Sequence, residues 1–172
     1  KKIIFGQPAS QFVQSDLHHL PFSDQTFDLV VALDVFDQAG VELKAALQES
    51  RRVLEDGGQM LLRVSAYPWL MSEHDQAFNT AQRFNRRPLT ALVQAAGFRV
   101  LRTTHANTLL SPPVIGLRLL QRWQPFVRRE ALYTNSFTNW ILAAALQSEA
   151  RWLRHHNLRA GISLYLFARK ES

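Results

Sequence analysis

Phe27-Asp28-Leu29-Val30-Val31-Ala32-Leu33, with Asp34 directly behind it, is the stretch on which the fold turns. It is short, rich in branched residues and apolar nearly throughout, the composition of a strand in a parallel sheet covered on both faces. Downstream, Leu43, Ala46, Leu47, Val53 and Leu54 recur at helical spacing over residues 41–54, and Gly57-Gly58 supplies a left-handed stop. Residues 59–65 return as a second buried strand. Pro88, acceptable in a helical first turn, opens a helix with Leu89, Leu92, Val93 and Ala96 on one face and Gly97 at its end. Residues 98–104 then alternate as a strand. Upstream, residues 11–15 read as a short strand closed by the loop Leu17-His18-His19-Leu20-Pro21. Strand and helix in alternation indicate an α/β domain with a largely parallel sheet.

The rhythm breaks after residue 106. Ser111-Pro112-Pro113 is followed by a basic amphipathic stretch over 114–129 and a helix over about 136–155. Residues 161–169 close the chain as a strand, Ile162, Leu164 and Leu166 alternating against Ser163, Tyr165 and Phe167. The expected organisation is one α/β core, residues 1–106 with 160–172, and a helical insertion, residues 107–159, before the last strand.

Composition narrows the function classes. Of 172 residues, 47% are hydrophobic, too many for a disordered tail. No apolar run approaches the about 20 residues that span a bilayer, Trp140–Leu146 being the best. Cysteine is absent, which removes a disulfide framework, a thiol nucleophile and Cys-ligated zinc. Lys1-Lys2 is followed by only three apolar residues, so no secretory leader is read and a cytoplasmic setting is expected. The net charge of +6 is uneven: residues 1–82 carry six Lys/Arg against eleven Asp/Glu, residues 83–172 fourteen against three. A basic second half suits an acidic substrate, anionic lipid or nucleic acid.

Ligands of open α/β sheets bind outside the carboxyl ends of strands. Asp16 and Asp34 both sit directly after predicted strands, where a carboxylate accepts hydrogen bonds from a ribose, an adenine amino group or an ammonium. The same placement also suits a plain loop or helix cap.

The wider context bears on that choice. Asp16-Leu17-His18-His19-Leu20-Pro21-Phe22 followed by Asp34-Val35-Phe36 resembles the Asp-x-x-x-Leu-Pro-Phe and Asp-Val-Leu-Glu-His segments of class I S-adenosylmethionine-dependent methyltransferases. Arg52-Val53-Leu54-Glu55-Asp56-Gly57-Gly58 is similar to that group's Arg-Val-Leu-Lys-Pro-Gly-Gly turn. Tyr67-Pro68-Trp69-Leu70, Ser72-Glu73-His74-Asp75, Arg83-Phe84, Ala95-Ala96-Gly97-Phe98 and Asn107-Thr108-Leu109-Leu110 continue the likeness in order.

The resemblance implies a Rossmann-like methyltransferase sheet and S-adenosylmethionine as cofactor. Asp16 would contact the adenine amino group beside the Leu17 backbone, and Leu33, Asp34 and Phe36 would line the methionine end. His74, Asp75, Arg86 and Asn107 would face the acceptor. Two departures stand out. The Glu-His pair is here Asp37-Gln38, and no Gly-x-Gly-x-Gly turn precedes Phe12, where Gly6 is the sole glycine. The family's first two strands would fall between residues 11–15 and 27–33 in the sheet, and a βαβ unit needs roughly 30 residues. The expectation is therefore a carboxy-terminal portion of a longer product, with Lys1–Phe5 a displaced remnant. A degenerate, cofactor-free relative acting as a binding or scaffold subunit is the alternative. A foreign segment or a second copy, giving a homodimer, would fill the exposed sheet edge.

His74 has the pKa range of a base for a poorly acidic acceptor, though a helix-capping histidine fits as well. His18-His19 and His155-His156 are adjacent pairs without a third ligand cluster, so no metal site is expected. The stretch 114–129 combines an apolar face with Arg118, Arg122, Arg128 and Arg129, which fits a lid over the substrate or a peripheral membrane contact. Together with Arg86 and Arg87 these arginines favour a small, anionic, lipid- or sugar-linked acceptor. Nucleic acid ranks low, since aromatics and bases do not interleave.

Overall fold

The structure is a computed structural model and describes residues 13–123 and 136–171. Four strands form one sheet: β1 (Phe27–Leu33), β2 (Leu54–Ser65), β3 (Phe98–Ala106) and β4 (Ser163–Lys170), in the spatial order β1-β2-β4-β3. β1 and β2 are parallel, and β4 runs antiparallel to both β2 and β3. Three strands thus point one way, with the last slotted between them. This is the expected α/β, Rossmann-like architecture.

Helices α1 (Leu43–Val53) and α3 (Arg86–Ala95) cover one face. Leu43, Ala46 and Leu47 from α1, with Leu89 and Val93 from α3, pack on Met60, Leu62, Val64, Leu164, Leu166 and Ala168. Three details differ from the sequence expectation. α1 stops at Val53, where Leu54 turns extended (φ −79°, ψ 138°) and enters β2 at once. Gly57 is left-handed as expected (φ +75°), yet it bends β2 rather than ending the helix, where the β1–β2 register is irregular between Phe27 and Leu29. Leu92, expected inward on α3, is exposed, because only Leu89 and Val93 of that helix reach the sheet.

The larger correction concerns β1. Leu29, Val31 and Leu33 share the face opposite α1 and α3 and are 46, 48 and 47% exposed. The strand is covered on one face only, and β2 is its sole neighbour among the described residues. The strand expected over 11–15 is not supported either: Gln11 and Phe12 lie outside the described residues, and Val13–Ser15 pair with nothing. An extended segment without a neighbouring ladder has no partners for its backbone groups and so gains no strand.

Between β3 and β4 the chain forms α4 (Ser111–Trp123) and α5 (Ser136–Leu153). α4 starts at Ser111 with Pro112 and Pro113 in its first turn, where their missing N–H groups cost nothing. The part of the expected basic stretch over 124–129 lies outside the described residues. α5 lies on the second sheet face, over Leu61, Tyr165 and Phe167. A short α2 (Glu73–Ala77) follows the 3-10 turn Pro68–Leu70. No helix among the described residues is long and apolar enough to cross a membrane.

Candidate functional site

The three parallel strands end in the same manner. Asp34 follows β1, Tyr67 lies two residues beyond β2 and Asn107 follows β3, all with left-handed φ (+53°, +62° and +60°). A side-chain-bearing residue held there costs on the order of 1–3 kcal/mol, and such strain gathers where the surroundings fix a functional geometry. Backbone bonds clamp two of them: Asp34 N–H donates to the Arg63 carbonyl (3.0 Å), Tyr67 N–H to the Phe84 carbonyl (3.0 Å).

A polar chain links two of these ends, Asp34 and Asn107. Arg63 reaches from β2 to the Asp34 carboxylate (2.6 Å) and donates to the Ser163 hydroxyl (3.3 Å). The Asn107 amide donates to the same hydroxyl from the other side (2.9 Å). The Asn107 backbone N–H in turn donates to Glu149 of α5, whose second oxygen accepts Leu109 N–H (3.0 Å). Gly161 makes the closure feasible: a Cβ there would lie 2.3 Å from the Ala106 carbonyl oxygen, so only glycine lets the chain entering β4 press against the end of β3. Burial pushes the Asp34 carboxyl above its usual range and neighbouring Asp37 adds to it, against the pull of Arg63. Asp37 is fully buried; one oxygen accepts Ser65 N–H (2.9 Å) and Oδ1 has no partner. Gln38 donates to the Asp34 carbonyl (3.1 Å), so Asp37-Gln38, the departure from the family pair, is built into the rim.

On the α3 side of the rim, His105 is 5% exposed, stacks on Tyr67 (5.4 Å, 13°) and has an unpartnered Nδ1. Desolvation pushes its imidazole below the usual range, with the Arg86 charge contributing, so the ring is neutral near pH 7. Arg86 itself is exposed at the first residue of α3, free to meet an anion.

Asp75 departs from the expectation of a substrate contact. It is 4% exposed and saturated: it accepts from Arg83 (2.5 Å) and from the Ser72 N–H (2.8 Å) and hydroxyl (3.0 Å), with Arg118 of α4 at 3.4 Å. Burial would raise its carboxyl, but the two arginines outweigh it and hold it low. Arg83 also donates to the Ala66 carbonyl (2.8 Å), Arg118 to the Leu70 carbonyl (2.6 Å). Asp75 is thus a structural anchor tying α4 to the end of β2.

The other predicted residues fall as follows. Asp16 is exposed, and its Oδ1 accepts both the backbone N–H (2.9 Å) and Nδ1–H (2.7 Å) of His18. The Glu42 N–H at the start of α1 donates to His18 Nε2 (2.9 Å), which fixes the tautomer and fastens the loop to that helix. The backbone bond from His18, foremost, lowers the Asp16 carboxyl. Leu17 packs partly against the core, and Leu33 is exposed beside Asp34. Phe36 is 2% exposed in the core, and its carbonyl accepts from Gln82 (3.2 Å). His74 sits in α2, its side chain outside what the structure describes. Asp34 and Asn107 are brought into one network; Asp16 is held in a separate one. No group of three metal-ligating side chains exists among the described residues. Sequence reasoning passed over Arg63, Ser163, Glu149 and His105, and an arginine inside the otherwise apolar strand 59–65 was the one visible signal.

Comparisons with known proteins agree with this architecture. Residues 2–62 match the model of a methyltransferase domain. An uncharacterized protein of Methanocaldococcus jannaschii is 29% identical over 116 residues, 64% of this chain and 50% of the relative, so the chain spans half that relative's length. Among solved structures, the [4+2]-cyclase SpnF superposes with a TM-score of 0.52 at 20% identity, over 93% of this chain and 55% of that one. Phosphoethanolamine N-methyltransferase 2 of Haemonchus contortus, solved in complex with S-adenosyl-L-methionine, gives 0.52 at 14% identity, over 91% and 36%. Residues 2–62 are thus similar to a methyltransferase domain, and the sheet they enter has the Rossmann-like fold of these solved structures.

Proposed function

We propose that this chain is an S-adenosylmethionine-dependent methyltransferase, or the carboxy-terminal portion of one, acting on a small, anionic or lipid- or sugar-linked acceptor. The observation that carries the reading is the family match over 2–62, which contains both Asp16 and Asp34. The acids present suit the cofactor: Asp34 keeps Oδ1 outside its Arg63 pair, and Asp16 Oδ2 has only His19 nearby, at 3.9 Å. Asp16, with the Leu17 backbone, would hold the adenine, and Asp34 with the Leu33–Phe36 backbone the methionine end. The residues before Val13, where no Gly-x-Gly-x-Gly turn is found, lie outside the described ones.

The bound cofactor supplies an electrophilic methyl group on a sulfonium, and transfer is an in-line displacement governed by positioning. The rim residues would position: Ser163, accepting from both Arg63 and Asn107, has its own proton left to donate to an acceptor oxygen. Arg86, with Arg87 beside it, would hold the acceptor's negative charge. His74 would take the acceptor's proton where that acceptor is a hydroxyl or amine. The insertion, 107–159, would form a lid, and 114–129 a peripheral contact with anionic lipid, in a cytoplasmic setting.

Isothermal calorimetry with S-adenosylmethionine tests the reading. Saturable heat is expected, with Asp34→Asn weakening binding by about tenfold or more, as for a lost charge-assisted hydrogen bond. No heat at high concentration overturns it in favour of a cofactor-free binding subunit. Full turnover by His74→Ala would remove His74 as the base.

A further inference from the structure

Between α5 and the second face of the sheet lies a chamber of about 410 Å³ that none of the proposed roles uses. Its floor is Leu61, Tyr165 and Phe167, with Leu61 and Phe167 direct cross-strand partners, and its roof is Leu146, Ala150 and Leu153 of α5. Its volume falls within the range of small-molecule sites, roughly 300–1,000 Å³.

Most of the polar groups around this chamber are already committed. Both Glu149 oxygens accept backbone N–H groups of Asn107 and Leu109. Arg102 caps the end of α5, donating from Nη2 to the Leu153 (2.6 Å) and His156 (2.7 Å) carbonyls and from Nε to Asn157 (2.6 Å). The Thr104 hydroxyl donates to the His105 carbonyl (3.0 Å) and accepts from Leu158 N–H (2.9 Å). A ligand rich in hydrogen-bonding groups would lose its water and find few partners there, which is costly. An apolar chain loses nothing and leaves water. Asn107 belongs both to the chamber's lining and to the rim chain running through Ser163 and Arg63 to Asp34.

We propose that this chamber holds the apolar chain of an amphiphilic ligand, whose polar end emerges at Asn107. Resting on the methyl-transfer reading above, that ligand is the methyl acceptor, with its reacting end at the Asn107–Ser163–Arg63 rim.

The test uses the full chain and the uncharged fluorophore N-phenylnaphthylamine. Saturable fluorescence enhancement is expected, reversed by decanol and not by butanol at equal concentration. Ala150→Trp fills the chamber from the helix and Leu61→Trp from the sheet; either one, folded by circular dichroism, should weaken probe binding at least about tenfold. Absence of saturable enhancement, equal displacement by both alcohols, or unchanged binding in the folded variants overturns the chamber. Calorimetry with S-adenosylmethionine is read separately. Probe binding without cofactor binding supports the chamber and removes only its assignment to a methyl acceptor.

Discussion

The two faces of the sheet carry similar apolar alternation and meet different fates. On the α1/α3 face, Met60, Leu62, Val64, Leu164 and Leu166 are fully buried beneath two helices whose apolar stripes fit them. On the other face, α5 lies over Leu61, Tyr165 and Phe167 and leaves a chamber, while Leu29, Val31 and Leu33 of β1 stand open. A strand's own composition therefore does not say whether a neighbour comes to cover it. One face serves as the stable platform; the other is where something else can bind.

Each face is anchored at the rim by a buried carboxylate, and removing these anchors gives the strongest tests. Asp75 holds two arginines; Asp75→Ala leaves both uncompensated and should destabilise by about 3–5 kcal/mol in urea unfolding. Next, Leu62→Ala on the closed face should cost about 2–5 kcal/mol and Leu29→Ala on the open face less than about 1 kcal/mol. Equal losses would mean that the open face is covered in solution. The smallest effect is one of pH. His105 binds its proton more weakly folded than unfolded, where its ordinary value is near 6.5. Its contribution to stability is therefore present above that value and is lost as pH falls below it. His105→Gln should flatten the fall in melting temperature between about pH 7 and pH 5, an unchanged slope counting against a neutral buried ring.

Glu49 sharpens the comparison at lower pH. Its hydrogen bond from Arg52 (2.8 Å) pushes its carboxyl down to about 2 from 4.5. That stabilisation is complete above 4.5 and disappears as pH falls toward 2, so the two windows separate in an acid titration.

Much of the closed face was legible in the sequence because it depends on local periodicity. Leu43, Ala46 and Leu47 recur as a helix buries them, and Leu164 and Leu166 alternate as a strand does. Asp34 was legible as a strand-end residue, since ligands gather at that edge, and Asn107 only through the resemblance of residues 107–110. Arg63, Ser163 and Glu149 were not, because they lie far from Asp34 along the chain and meet only when β4 inserts between β2 and β3. Asp75 shows the reverse: a neighbouring histidine suggested chemistry, and the fold turned its carboxylate inward onto Arg83 and Arg118.

By itself, then, the sequence determined four of the expected strands and the helices that flank them, which follow from patterns within a few residues of one another. Only the tertiary structure decided which face of β1 is covered, which acids are committed to arginines and where a chamber opens. Those depend on contacts between segments distant in the chain, and no local period encodes them.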